Sequence, residues 1–286
     1  MLRFQSFPEN PMSATQAQYE TLLIEKKGAV DWVTMNRPEA LNSLNTVLVD
    51  ELLDYFGALY FDRSVRIVVL RGAGRAFCAG LDLKQSGARR NSEGANMRGP
   101  DAGLFGQRRI SEIVMRMRRC GQPIISLVHG PACGGGFALA LASDIRIAGQ
   151  SARMNAAFIR IGLSACDIGV SYFLPRLVGV SVASELMLTG RFINAERAGR
   201  VGLVSEVVPD EHMARAAEPY IEEMITTSPL GLRLTKECLN MSVDAQSLEA
   251  AINMEDRNQI LCSQTNDVRE GMAAFLEKRK PNYTNS

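Results

Sequence analysis

The chain has 286 residues, 46% of them apolar, with 32 basic against 31 acidic residues and a net charge of +1. So even a balance, with the signs interspersed, excludes a charge-driven nucleic-acid or membrane surface. Six cysteines without a CxxC pair and only two histidines, His129 and His212, exclude a disulfide framework and a zinc site and fit a reducing compartment.

No run reaches the ~18 apolar residues of a membrane span. Residues 1–20 contain Glu9 and lack the apolar centre of a secretory signal, so they read as a flexible N-terminus on a cytoplasmic protein. Thr21 to Glu25 and Ala29 to Met35 read as two strands around a turn at Lys26, Lys27 and Gly28. Leu48, Val49, Leu52, Leu53, Phe56 and Leu59 repeat at helical spacing and predict a helix over Asn45 to Tyr60. Arg66 to Leu70 reads as a buried strand that runs into a glycine-punctuated turn, predicted as strand-to-helix, over Arg71 to Lys84. Residues 85–104 carry no period and read as a long loop, followed by a helix over Phe105 to Cys120.

The stretch Ile124 to Ala148 is the most informative. A buried strand (Ile124 to Val128) ends at a turn, then Gly134, Gly135 and Gly136 precede the helix-forming run Phe137 to Ala142. Glycine is costly at such a place unless a group must approach the backbone closely. Free N–H groups at a helix start can hold an anion or a polarised carbonyl oxygen. Tight helix-on-sheet packing is the alternative reading. The order strand, glycine turn, helix at 66–84 and again at 124–142 suggests successive β-β-α units.

Further on, Val182 to Leu188 and Ala195 to Arg200 read as short helices and Leu203 to Val208 as a strand. Beyond Asp210 four helices are predicted, over roughly 211–226, 229–241, 246–261 and 267–279, with Ser228-Pro229 as a cap and first turn. The chain therefore divides into the terminus 1–20, a core 21–209 and a helical region 210–286.

Two phosphate motifs fail: Gly136 is followed by Phe137-Ala138 rather than Lys-Ser/Thr, and Gly72-Ala73-Gly74 meets Phe77 where a third glycine belongs. The set NRPEALNSL (Asn36 to Leu44), GAGRAFCAGLDL (Gly72 to Leu83), HGPACGGG (His129 to Gly136), LTGRFINAERAGRVGLVSEVVP (Leu188 to Pro209) and EGMAAFLEKRKP (Glu270 to Pro281) resembles the crotonase, or enoyl-CoA hydratase/isomerase, superfamily. The resemblance spans about residues 20–283 and several motifs agree in order and spacing.

It implies an α/β fold, a crotonase-like spiral of β-β-α units with a C-terminal helical region used to form trimers or dimers of trimers. It implies a coenzyme A thioester as substrate, with no permanently bound cofactor and no metal, in fatty acid or related acyl-CoA metabolism. By the same resemblance the oxyanion hole falls on the amides of Leu81 and Gly135, and Asp82 orients the first turn. Ala40, Ala79 and Leu81 would lie along the coenzyme A, and Lys84, Phe275 and Lys278 would meet its adenine and phosphates.

The chain departs from the hydratase pattern at both acid/base positions. Ala138 stands where hydratases carry the glutamate after the triple glycine, and Phe158 stands near the second. Hydration needs one group to activate water and another to manage the α-proton. Asp167 sits in the loop where dienoyl-CoA isomerases and some dehalogenases of the superfamily keep a working aspartate. Two roles are open for it: proton transfer, or capping the helix Gly169 to Leu174. Cys133 and Cys166 read as small buried fillers, and His129 as structural. Two functions follow: an acyl-CoA enzyme (isomerase, decarboxylase, thioesterase or atypical hydratase, with isomerase-like chemistry favoured over standard hydration), or an acyl-CoA binding protein without chemistry.

Overall fold

The computed structural model describes residues 18–84 and 99–286. The expectations for residues 1–17 and 85–98 lie outside the described residues. β1 (Leu22–Lys27) and β2 (Val30–Met35) form an antiparallel hairpin, with Gly28 at φ 62° in a turn shorter than predicted. α1 (Thr46–Leu59) starts where Asn45 Oδ1 accepts from Leu48 N, and all six residues of its predicted stripe are buried.

From β2 the sheet grows through β3 (Ile67–Gly72) to β4 (Ile124–Val128). β6 (Ile145–Gly149) and β9 (Glu206–Val208) extend it further. Among the described residues every further pairing in this sheet is parallel. β3 and β4 are covered on both faces, which is why they read as near-continuous apolar runs.

Alternate side chains choose the face. Val68, Leu70, Ile124 and Val128 join the main core with α1, α2 (Gly99–Arg119), α3 (Gly135–Ala142) and α4 (Val170–Thr189). Ile67, Val69, Ile125, Leu127 and Ile147 face the other way, with Trp32, onto Met213 and Ala217 of α6 (Met213–Ile225). A second sheet joins β5 (Pro131–Cys133), β7 (Arg153–Asn155) and β8 (Ile193–Asn194). Strands this short carry no readable period, so sequence patterning misses them.

α5 (Ala195–Arg200) leads into β9, and after α6 come α7 (Pro229–Ser242), α8 (Leu248–Ser263) and α9 (Asn266–Glu277). Ser228, Ser247 and Thr265 cap the last three through their hydroxyls. α7 is fastened to the core by the buried Lys236, whose ammonium lies 2.9 Å from Asp144 and donates to Gln122 O at 2.7 Å and Met117 O at 3.1 Å.

Two helix predictions change. α2 begins at Gly99, inside the stretch read as loop, because its first turn is largely exposed and is built from Gly99, Pro100 and Asp101. Those are helix-start residues that also look like turn residues. The pieces predicted at 169–174 and 182–188 both extend until they meet within α4, where the chain kinks between two helical segments at Gly179, φ 76° and ψ 158°.

Candidate active site

Two main-chain turns build the site. The first, residues 73–82, is held by the segment that carries NRPEALNSL. Asn42, fully buried, accepts from Arg37 N at 2.9 Å and donates to Ala73 O and Ala76 O at 2.8 and 2.7 Å. Ala79 N donates to Leu41 O, Leu44 N to Gly80 O and Asp82 N to Leu44 O. Arg37 and Asp82 close over the turn as a buried ion pair of 3.0 Å, which is the orienting role expected of Asp82. Since Gly80 O and Asp82 N both face Leu44, strand alternation turns the Leu81 N–H to the opposite side. No helix follows within residues 73–84, contrary to the strand-to-helix prediction, so the Leu81 amide gains nothing from a helix dipole.

The second turn follows β5, which is paired to Cys78 through Cys78 N to Pro131 O and Cys133 N to Cys78 O. Gly134 takes φ 52° and α3 begins. The first bond inside α3 is Ala138 N to Gly134 O at 3.0 Å, which leaves the amides of Gly135, Gly136 and Phe137 without an intrahelical acceptor. The glycines divide the two readings between them. A Cβ on Gly136 would lie 2.0 Å from Cys78 O, so that glycine serves packing of α3 on the first turn, while Gly135 lines a cavity.

The cavity has a volume of about 140 Å³ and is lined by Ala79, Leu81, Gly135, Phe158, Gln107 and Asp167, together with aliphatic side chains. Among the described residues its only polar side chains are Gln107 and Asp167. Asp167 precedes Ile168, whose φ of 46° is left-handed, a conformation costly for a β-branched residue. That bend lets the Asp167 carboxylate accept from Ile168 N at 2.8 Å, and Gln107 Nε2 donates to the same oxygen, Oδ1, at 2.5 Å. Burial raises the carboxyl above the usual range while the two hydrogen bonds oppose that rise. The N-cap of α4 is Gly169 and carries no side-chain cap, so the Asp167 carboxylate does not cap the helix as the alternative reading had it.

Ala138 is buried inside α3, and the Phe158 ring packs at Gly134 on the cavity wall. No carboxylate occupies either place. The structure thus brings Ala79, Leu81, Gly135 and Asp167 together. Ala40, on a short 3-10 turn from Pro38 to Ala40, does not line this cavity, and neither does the exposed Lys84. Phe275, 83% exposed, and Lys278, at the left-handed end of α9, stand apart from it as well.

Burial pushes the Cys133 thiol up to about 11, which suits a filler and not a nucleophile. Cys166 is exposed, so the expectation of a buried filler fails there. His129 places Nε2 2.9 Å from Gly74 O, bracing the first turn. Sequence reasoning gave no role to Asn42, Ile168 or Gln107. Asn42 lies inside a motif already singled out, whereas nothing local marks a glutamine on a helix as a cavity residue.

The family model for enoyl-CoA hydratase/isomerase matches residues 25–286. A probable enoyl-CoA hydratase, EchA12, of Mycobacterium tuberculosis is 42% identical over 253 residues, 88% of each chain. The 1,2-epoxyphenylacetyl-CoA isomerase of Escherichia coli is 36% identical over 93% of this chain and 98% of its own. A crystal structure of enoyl-CoA hydratase from Bacillus anthracis superposes with a TM-score of 0.86 at 31% identity, covering 93% of this chain and all of that one. With the family model matching most of its length and with its crotonase fold, this chain belongs to the enoyl-CoA hydratase/isomerase family.

Proposed function

We propose that this protein is an acyl-coenzyme A isomerase that moves a double bond along its substrate and does not hydrate it. The observation that carries the reading is the cavity lined by one carboxylate among the described residues, Asp167, together with Leu81 and Gly135; by the resemblance, Ala138 stands at one hydratase glutamate position and Phe158 near the other. The thioester oxygen would accept from the Leu81 and Gly135 amides. These donors would stabilise the negative charge that grows there as a proton leaves the neighbouring carbon.

The steps balance with one carboxylate. Asp167 takes the α-proton of a 3-enoyl thioester, and the C–H electron pair moves into the thioester to give a dienolate. The protonated Asp167 returns the proton to the γ-carbon, and the double bond settles between the α and β carbons. Activating water while also protonating carbon would need a second group, and the cavity lining includes no second carboxylate among the described residues. Ala40, Ala79, Lys84, Phe275 and Lys278 remain the proposed coenzyme A contacts. The helices beyond Asp210, which expose Leu239, Leu248, Ile260, Phe275 and Leu276, are the proposed surface of a homotrimer or dimer of trimers. A cytoplasmic location fits this chemistry.

The test compares wild type with Asp167→Asn on 3-enoyl-, dienoyl- and 2-enoyl-CoA substrates. Wild type should isomerise faster than it hydrates, and the variant should lose about 10²–10⁴-fold in turnover with acyl-CoA affinity kept. A variant equal to wild type on every substrate would remove Asp167 from the chemistry. Wild-type binding without turnover would instead favour the acyl-CoA binding protein, the reading that the missing glutamates support.

A further inference from the structure

Two donors, from different elements, meet on one oxygen of Asp167. Ile168 N reaches Oδ1 at 2.8 Å because residue 168 adopts a left-handed backbone, and Gln107 Nε2 reaches it at 2.5 Å from α2, sixty residues earlier. Both hydrogen bonds that the described residues make to the carboxylate fall on Oδ1 and none on Oδ2, and Asp167 lines the cavity. Gln107 itself lines that cavity, as does Ile110 one turn on along α2.

We infer that Gln107 is a positioning residue for the reaction. It fixes the rotation of the Asp167 carboxylate so that Oδ2 is the oxygen that takes and returns the proton. This rests on the isomerase reading above. A carboxylate on a two-bond side chain rotates freely about its last torsion, which is broad and weakly restrained. The Ile168 amide alone leaves that torsion a single anchor on the carboxylate's own backbone. The Gln107 amide, arriving from a separate helix, supplies the second and defines a plane. Gln107 cannot ionise, so it orients the base without competing for its proton.

The arrangement has a pH signature. Among the described residues the groups around Asp167 are the Ile168 amide, the Gln107 amide and apolar walls. Among the described residues Asp167 is the one titratable side chain lining the cavity, and neighbouring Cys166 is exposed and does not line it. The Gln107 donor favours the ionised carboxylate. Without it Asp167 protonates at higher pH, and the acid limb of turnover moves up with it.

The experiment uses trans-3-hexenoyl-CoA as probe and measures kcat, KM and the pH profile for wild type, Gln107→Leu, Gln107→Glu and Asp167→Asn. Gln107→Leu keeps a helix-forming side chain of similar length at an exposed position, so the fold is expected to hold. It should lower kcat about tenfold with KM nearly unchanged, as for loss of a hydrogen bond to a charged group. Its acid limb should move up by about one pH unit. Gln107→Glu, which sets a second carboxylate against the first, should move the limb further in the same direction. If Asp167→Asn is inactive while both Gln107 variants keep the wild-type kcat and limb, Gln107 does not position the base, and the isomerase reading stands. If Asp167→Asn turns over like wild type, the isomerase reading itself fails.

Discussion

Gly136 offers a test in which one added methyl group should disturb the site through the backbone alone. A Cβ there would lie 2.0 Å from Cys78 O and 2.7 Å from both Cys78 C and its Cβ, whereas real Cβ contacts do not fall below 3.0 Å. The neighbour is backbone and cannot rotate away, so α3 and the first turn must part by about 1 Å. Overpacking of this kind costs about 1–3 kcal/mol, offset by up to about 1 kcal/mol from removing a helical glycine. Gly136→Ala should therefore be modestly destabilised and still fold. The same displacement separates Leu81, on the first turn, from Gly135, at the start of α3. A misplacement of about 1 Å can cost on the order of 10²-fold in rate. Gly231→Ala, at the start of α7, is the control, since its Cβ would meet Ser228 at an ordinary 3.6 Å. That change should stabilise by about 0.5–1 kcal/mol and leave turnover alone. Thermal melts and steady-state kinetics on both variants decide the matter. A folded Gly136→Ala protein with wild-type turnover would refute the claim that this contact sets the spacing of the two amides.

Asp167 links stability to pH with a definite sign. Burial raises its carboxyl in the fold, so folding favours the protonated form, and the ionised form costs stability once pH exceeds the folded-state value. Asp167→Asn should thus melt higher than wild type at pH 7, with the advantage vanishing below about pH 4, the usual carboxylate range; a lower melting temperature at pH 7 would contradict this. In wild type, turnover should fall with decreasing pH at a limb above that range. Lys236→Met should cost about 1–3 kcal/mol, because it removes the donor to two buried carbonyls and leaves Asp144 paired with Arg118 alone, at 3.3 Å. Urea unfolding at one fixed protein concentration measures it, since subunit association adds to apparent stability; a loss below about 1 kcal/mol would place the contact among weak surface pairs. Sedimentation at micromolar concentration should show three or six chains per particle, and a stable monomer would refute the assembly proposal.

Much of this was legible in the sequence for physical reasons. The parallel strands are covered on both faces, so β3 and β4 announced themselves as apolar runs. α1, α7, α8 and α9 carry side-chain caps, and their predicted limits hold to within a few residues, as do those of the uncapped α6. The glycine triplet was legible as a close approach, but not which glycine answers to which neighbour, because Cys78 is more than fifty residues away in the chain. The start of α2 and the three short strands carried too little pattern to read. Asp167 could be singled out by type and place alone. Its partner Gln107 could not, since a hydrogen bond across sixty residues leaves no mark on local sequence.

In the proposed reaction two amides and one carboxylate address the same thioester. A crystal structure of Asp167→Asn with trans-3-hexenoyl-CoA, which the variant should bind without converting, tests it most directly. The thioester oxygen should lie about 2.7–3.1 Å from both Leu81 N and Gly135 N. The residue 167 side chain should face the α and γ carbons. A thioester oxygen bound elsewhere, or Leu81 and Gly135 presenting their carbonyls to it, would contradict the account.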